Sequence, residues 1–252
     1  MSWLSKPSQL NLLVTKQIKM QIKFILVEPA VPENVGAAAR AIKTMGFQEL
    51  RLVNPCDYKC DKALMLAHGS HDILDNAMVF SSLSKALDDI DFSVATSAKQ
   101  RWVKQDIVSS HELKSFIEKK KNSIQSVAIV FGGEESGLSN SDMALCDAVA
   151  SIPLPQPYPS LNLAQAVMVF AYSLSSIAVS SLATPSVAKE NAGYKPLKDR
   201  IIQILNTIGI TEASLVHGRV LERLGQISDE DINLLHSVSA KVIHSIENSK
   251  DS

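Results

Sequence analysis

Short runs of apolar residues alternate along the chain with longer segments whose apolar positions recur every three or four residues. The runs at 22–27, 50–53, 78–80, 92–96, 127–131 and 148–152 read as strands. Between them, residues 35–45, 63–66, 73–77, 83–87 and 111–121 read as helices, the first stopped by Gly46. A long helix of small and aliphatic residues is predicted over 161–182. Strands that are apolar on both faces and separated by helices belong to a mostly parallel sheet covered on both sides. The predicted fold class is therefore α/β, a doubly wound domain.

The pattern changes at 184–194, a polar stretch with helix breakers at both ends. It divides a domain at 20–183 from a helical extension at 195–252. In the extension, residues 197–208, 215–224 and 229–244 form amphipathic repeats, with Ser228 placed to cap the last. His217, Arg219 and Arg223 fall where they can form one basic helix face or simply line a solvated amphipathic helix. Met20 directly precedes the first strand, so residues 1–19 are expected to be a loosely ordered extension or to follow an early start codon.

Composition adds limits. The 252 residues, 46% of them hydrophobic, suffice for one large core with a small appendage. A net charge of −1 does not advertise a nucleic-acid partner, so any basic excess must be local. It is local in two places. Lys6, Lys16, Lys19 and Lys23 stand without an acid in the first 23 residues, and 99–121 holds seven basic residues against three acidic ones. Either stretch can face a polyanion or simply be solvated. Cys56, Cys60 and Cys146 make neither a disulfide framework nor a complete zinc site, and free thiols in a reducing cytoplasm are expected. Residues 8–15 are too short and interrupted for a signal-peptide core.

Three loops carry candidate chemistry. In Asn34-Val35-Gly36-Ala37-Ala38-Ala39-Arg40, small residues let a helix pack closely on the sheet, Asn34 can cap it, and Arg40 follows almost two turns later, directed to a shared cleft. The strand at 127–131 opens into Gly132-Gly133-Glu134-Glu135-Ser136-Gly137-Leu138-Ser139, where glycines allow a ligand close to the backbone. That loop lacks the Lys-Ser/Thr ending of a phosphate loop, and no Gly-x-Gly-x-x-Gly follows the first strand, which argues against a nucleotide hydrolase or a dinucleotide dehydrogenase. Prolines 153, 155, 157 and 159 build a rigid wall before Ser160-Leu161-Asn162. Ser160 fits a helix cap, whereas Asn162, at the mouth of an apolar helix, needs a partner.

Taken in order, Asn34-x-Gly36-x-x-x-Arg40, Phe131-Gly132-x-Glu134-x-x-Gly137-Leu138 and Ser160-Leu161-Asn162 resemble the three motifs of the SpoU-TrmH branch of the SPOUT methyltransferases. Within that branch the chain looks most like the TrmJ-type enzymes, given Lys43-Thr44-Met45-Gly46-Phe47, Leu52-Val53-Asn54-Pro55 and the helical extension. The resemblance implies an RNA ribose 2′-O-methyltransferase that uses S-adenosyl-L-methionine, needs no metal, forms a homodimer and contains a C-terminal trefoil knot. Its substrate would be tRNA, at cytidine or uridine 32 of the anticodon loop.

The resemblance also implies roles. Thr96, Ser97, Ala98, Gly132, Gly133, Glu134, Ile152, Leu154, Leu161, Asn162 and Leu163 would line the cofactor pocket. Arg40 would orient or deprotonate the ribose hydroxyl, and because a guanidinium stays protonated, orientation and charge stabilisation are expected to dominate. Asn34 would hold the substrate or Arg40, Glu134 would fix its loop, and Ser160 with Asn162 would bind phosphate or maintain the knot. Two departures from the pattern, Lys99 in Ala98-Lys99-Gln100-Arg101 and Gly133 after Phe131-Gly132, touch the RNA target more than the reaction. A ribosomal RNA or tRNA wobble target, and a non-catalytic RNA-binding module, are the alternatives.

Overall fold

Seven short strands are the frame on which everything else is placed. The computed structural model describes residues 20–98, 107–156, 160–180 and 193–248. In chain order the elements are β1 (Gln21–Val27), α1 (Pro32–Thr44), β2 (Glu49–Val53), α2 (Asp61–Leu66), α3 (His71–Asp75), β3 (Met78–Phe80), α4 (Leu83–Leu87), β4 (Phe92–Thr96), β5 (Ile107–Ser109), α5 (Leu113–Glu118), β6 (Ser126–Phe131), α6 (Asn140–Leu145), β7 (Ala148–Ser151), α7 (Leu163–Ser180), α8 (Tyr194–Thr207), α9 (Leu215–Gln226) and α10 (Asp229–Asn248). The strands form one sheet in the order β3-β2-β1-β6-β4-β7-β5, and every pairing is parallel.

Alternation along the strands divides the core between the two faces. Phe24, Leu26, Val127, Ile129 and Phe131 point to one face, where they meet Val35 and Ile42 of α1 and Phe170 and Leu174 of α7. Ile25, Val27, Ala128 and Val130 point to the other, under Leu83 and Ala86 of α4. This is the doubly wound arrangement that the sequence predicts. Both edge strands, β3 and β5, are only three residues long, which limits the unpaired backbone offered to other chains.

Several boundaries differ from expectation for local reasons. Helix α1 starts at Pro32 rather than 35, because proline at the first helical position has its φ already set and lacks only a donor that the helix does not use there. Helix α5 is shorter than the expected 111–121. Strand β5 and helix α6 were not predicted: β5 is too short to show a period, and α6 buries no residue and so has no apolar stripe. The basic cluster at 99–106, the lysines before Met20 and prolines 157 and 159 lie outside the described residues.

The helical extension docks on the edge of the sheet where the strands begin. Asp147, immediately before β7, accepts hydrogen bonds from Ser93 N at 2.8 Å and Ser93 Oγ at 2.9 Å, while its other oxygen accepts from Tyr194 Oη at 3.2 Å and Lys198 Nζ at 2.5 Å. Gly225 of α9 lies flat on the same turn, since a Cβ there would stand 2.1 Å from the Asp147 carbonyl oxygen. Lys120 is buried, donates to the Ile227 carbonyl and lies over the Phe116 ring, 4.6 Å from its centroid. Burial pushes its ammonium down to about 8. His217 is also buried, so it does not join Arg219 and Arg223 in an exposed basic helix face.

Asp147→Ala removes an almost fully buried carboxylate and leaves four donors without their acceptor. It is expected to cost roughly 2–4 kcal/mol, lowering the melting temperature by about 5–12 °C in differential scanning calorimetry. A shift under about 2 °C would show that the extension is held by other contacts.

Candidate functional site

Parallel sheets of this kind open a crevice beyond the carboxyl ends of the strands where the winding reverses. The chain runs outward from β1 through β2 to β3, then returns to build β4, β6 and β7 on the other side. The loops that leave β6, β4 and β7 are therefore neighbours. They carry Gly132 and Gly133, Thr96 to Ala98, and Ile152 to Leu154. Thr96 Oγ1 donates to the Val130 carbonyl at 2.9 Å and Ser97 N donates to the Ala150 carbonyl at 3.0 Å, which ties the three strand ends together. Ile152, Leu154 and Leu161 are half-buried there, and Leu163 is buried.

Glu134 sits at the centre. One carboxylate oxygen accepts from Asn34 Nδ2 at 2.7 Å and Val31 N at 3.2 Å, and the other accepts from Ala30 N at 2.9 Å. Partial burial pushes its carboxyl up, but the bonds from Asn34, Ala30 and Val31 outweigh this and its pKa is lowered. The carboxylate thus takes the place of a side-chain cap at the start of α1, where Val31 offers none. Asn34 is not the cap expected of it. It lies in the first turn, buried, and its Oδ1 accepts from Asn162 Nδ2 at 2.7 Å.

The third loop closes the network. Asn162, not Ser160, caps α7: its Oδ1 accepts from Ala164 N at 2.8 Å and Gln165 N at 3.4 Å. Ser160 is exposed two residues earlier. Both amide orientations follow from chemistry, because only an NH₂ group can face the Glu134 carboxylate, which leaves the Asn34 oxygen for Asn162. Glu134, Asn34 and Asn162 come together as one polar chain across three loops. Arg40 does not join it. Six residues beyond Asn34 is about 600° around a helix, so Arg40 projects from another side of α1, exposed and without an ion pair among the described residues.

Glycines make the close approach possible. A Cβ on Gly133 would lie 2.6 Å from the carbonyl oxygen of Glu28, a residue at φ 50° at the end of β1. A Cβ on Gly132 would lie 2.0 Å from the Gly137 carbonyl carbon. The space beside both is filled by the chain's own backbone, which brings Glu134 within reach of α1. Gly36 does the same elsewhere, allowing α1 to rest on the Ala63 carbonyl of α2. The sequence pattern did not single out the backbone donors of Ala30 and Val31 or the side chain of Gln165. For Gln165 the Asn-x-x-Gln spacing was a readable signal.

The chain is similar to known RNA methyltransferases. The SpoU rRNA Methylase family model matches residues 21–172, and the model for the C-terminal domain of tRNA/rRNA methyltransferase LasT matches 191–246. The chain is 38% identical over 228 residues to the uncharacterized tRNA/rRNA methyltransferase LasT of Escherichia coli, covering 90% of this chain and 98% of that one. It is 32% identical to the tRNA (cytidine/uridine-2′-O-)-methyltransferase TrmJ of Klebsiella pneumoniae, with 88% and 96% covered. The crystal structure of TrmJ from Z. mobilis superposes with a TM-score of 0.62 at 26% identity, covering 87% of this chain and 98% of that one.

Glu134→Gln replaces an acceptor by an amide that must turn its NH₂ toward a donor. Unfolding in urea at pH 7 is expected to show a loss of roughly 1–2 kcal/mol. Because the carboxyl is lowered from its ordinary 4.5, its contribution is present above that value and fades as pH falls below it. The gap between wild type and variant should therefore narrow at pH 3. A gap independent of pH would contradict the charged network.

Proposed function

The chain belongs to the SpoU rRNA methylase family and is a TrmJ-like RNA 2′-O-methyltransferase, and from that premise we propose that it methylates the ribose of cytidine or uridine 32 in the tRNA anticodon loop with S-adenosyl-L-methionine. The observation that carries the reading is the Glu134–Asn34–Asn162 chain, which fixes three loops at the crevice. The residues present suit the cofactor: three adjacent strand ends offer backbone groups to a base, and Ile152, Leu154 and Leu161 are half-exposed to pack on it. That group supplies a methyl already activated on a sulfonium. The protein's part is alignment.

In this reading Thr96, Ser97, Ala98, Gly132, Gly133, Ile152, Leu154, Leu161 and Leu163 surround the cofactor. Glu134, Asn34 and Asn162 hold the walls in register, and Ser160 lies exposed at the rim to meet the RNA backbone. Arg40 remains a cation. Its fork would orient the ribose and stabilise negative charge developing on the 2′-oxygen, whose proton would pass to water. A C-terminal trefoil knot, implied by the family resemblance, is part of this reading. No helix among the described residues is long and apolar enough to cross a membrane; in this reading the enzyme works in the cytoplasm, where its tRNA is.

The enzyme acts as a homodimer through α7 and the start of α1. Tyr172 is 70% exposed and Met168 one turn earlier is exposed as well, apolar side chains of α7 left uncovered among the described residues, and Val31 at the start of α1 is also exposed. Tyr172→Glu is expected to convert a dimer to a monomer in sedimentation velocity at micromolar concentration. A wild-type protein that sediments as a monomer would contradict the dimer.

Arg40→Ala is expected to lower methyl transfer by about 10²–10³-fold while S-adenosylhomocysteine binding, measured by calorimetry, changes by less than about threefold. Loss of both would overturn the assigned role. Labelled cofactor with total RNA followed by nuclease mapping reads the address: label at nucleotide 32 of tRNA is expected, and label confined to ribosomal RNA would favour the wider specificity in the family's name.

A further inference from the structure

The polar chain across the crevice has an anchor outside the three motifs. Gln165, on the first turn of α7, accepts a hydrogen bond from the backbone N–H of Asn162 at 3.1 Å through Oε1. Asn162 in turn accepts from Gln165 N through its side chain. This reciprocal pair is a capping box with asparagine at the cap and glutamine three residues later. Each of the two bonds removes a different freedom. The Asn162 side chain fixes the helix start, and the Gln165 side chain fixes the backbone of Asn162 itself.

The second bond matters for the site. With Oδ1 committed to the amides of Ala164 and Gln165, only Nδ2 is left to face Asn34, and its direction depends on where the Asn162 backbone stands. That backbone follows a stretch with prolines at 153, 155, 157 and 159, which lack backbone donors to hold it. Leu161 and Leu163, on either side of Asn162, are among the residues placed around the cofactor.

We propose that Gln165 is a positioning residue for methyl transfer, acting through Asn162: it holds the Asn162 backbone so that the Asn162–Asn34–Glu134 chain keeps the crevice walls in register. The inference rests on the reading of the crevice as the methyl-transfer site. Gln165 touches neither the cofactor nor the RNA in this scheme. Its side chain is exposed and its acceptor takes the Asn162 amide, so a purely structural role would show in stability alone.

Two substitutions separate the possibilities. Gln165→Leu keeps size and removes the acceptor, and Gln165→Glu keeps the acceptor in the other common form of the capping box. With Gln165→Leu, kcat is expected to fall about tenfold with the KM for tRNA within about twofold, the signature of lost alignment in the transition state. Gln165→Glu should return kcat to within about threefold of wild type. A Gln165→Leu enzyme with unchanged kcat, or a Gln165→Glu enzyme as slow as the leucine variant, would overturn the proposal. Hydrogen exchange reads the bond without turnover: the Asn162 amide should exchange about tenfold faster in Gln165→Leu than in wild type or Gln165→Glu. Equal rates would also overturn it. A wild-type protein with no methyl transfer to RNA would instead overturn the function proposed for the site, and the exchange rates would still decide whether Gln165 holds Asn162.

Discussion

One carboxylate holds the loops at the carboxyl ends of the strands together. Glu134 leaves β6 and binds the backbone of the β1–α1 loop and the side chain of Asn34, which in turn holds the cap of α7. A charged acceptor shared among three donors is stronger than three separate neutral bonds, and its partial burial keeps water from competing. The close contacts at Gly132, Gly133 and Gly36 make sense in this light: each removes a Cβ that would push apart backbones the network draws together. Small residues in such motifs serve the approach of chain to chain as much as the approach of a ligand.

The other end of the sheet has a network of the opposite purpose. Asp147 gathers β4, α8 and the turn before β7, and cations of the extension are spent inward: Lys195 on the Asp88 carbonyl, Lys198 on Asp147 and Arg200 on the His236 carbonyl. On the catalytic domain, Arg51 is buried with both nitrogens of its fork on Asp89, whose carboxyl is held well below the usual range by that hydrogen bond. These charged side chains therefore build structure. The extension is clamped on the edge where the strands begin, through Asp147, at the opposite end of the sheet from the Glu134 network.

The parallel sheet and its winding were legible because burial on both faces leaves continuous apolar runs, as in 127–131. Strand β5 and helix α6 were not, since three residues or an unburied turn carry no period. Asn34, Glu134 and Asn162 were legible as residue types in order. Their connections were not: Asn34 lies 100 positions from Glu134 and 128 from Asn162, and no local pattern encodes which amide meets which carboxylate. Asn34 and Ser160 were expected as caps because capping is the ordinary use of such residues. The structure gives those tasks to Glu134 and Asn162, which join two helix starts to one site.

If the crevice transfers a methyl group to a ribose oxygen, the product is distinctive. The most direct measurement is mass spectrometry of the nucleosides released from unmodified tRNA after incubation with the protein and S-adenosyl-L-methionine. The expected result is 2′-O-methylcytidine or 2′-O-methyluridine, its extra mass on the sugar and lost when the glycosidic bond is broken. A methyl group found on the base, or no methylated nucleoside from any RNA, would contradict the assignment of Arg40 and the Glu134–Asn34–Asn162 chain to ribose methylation.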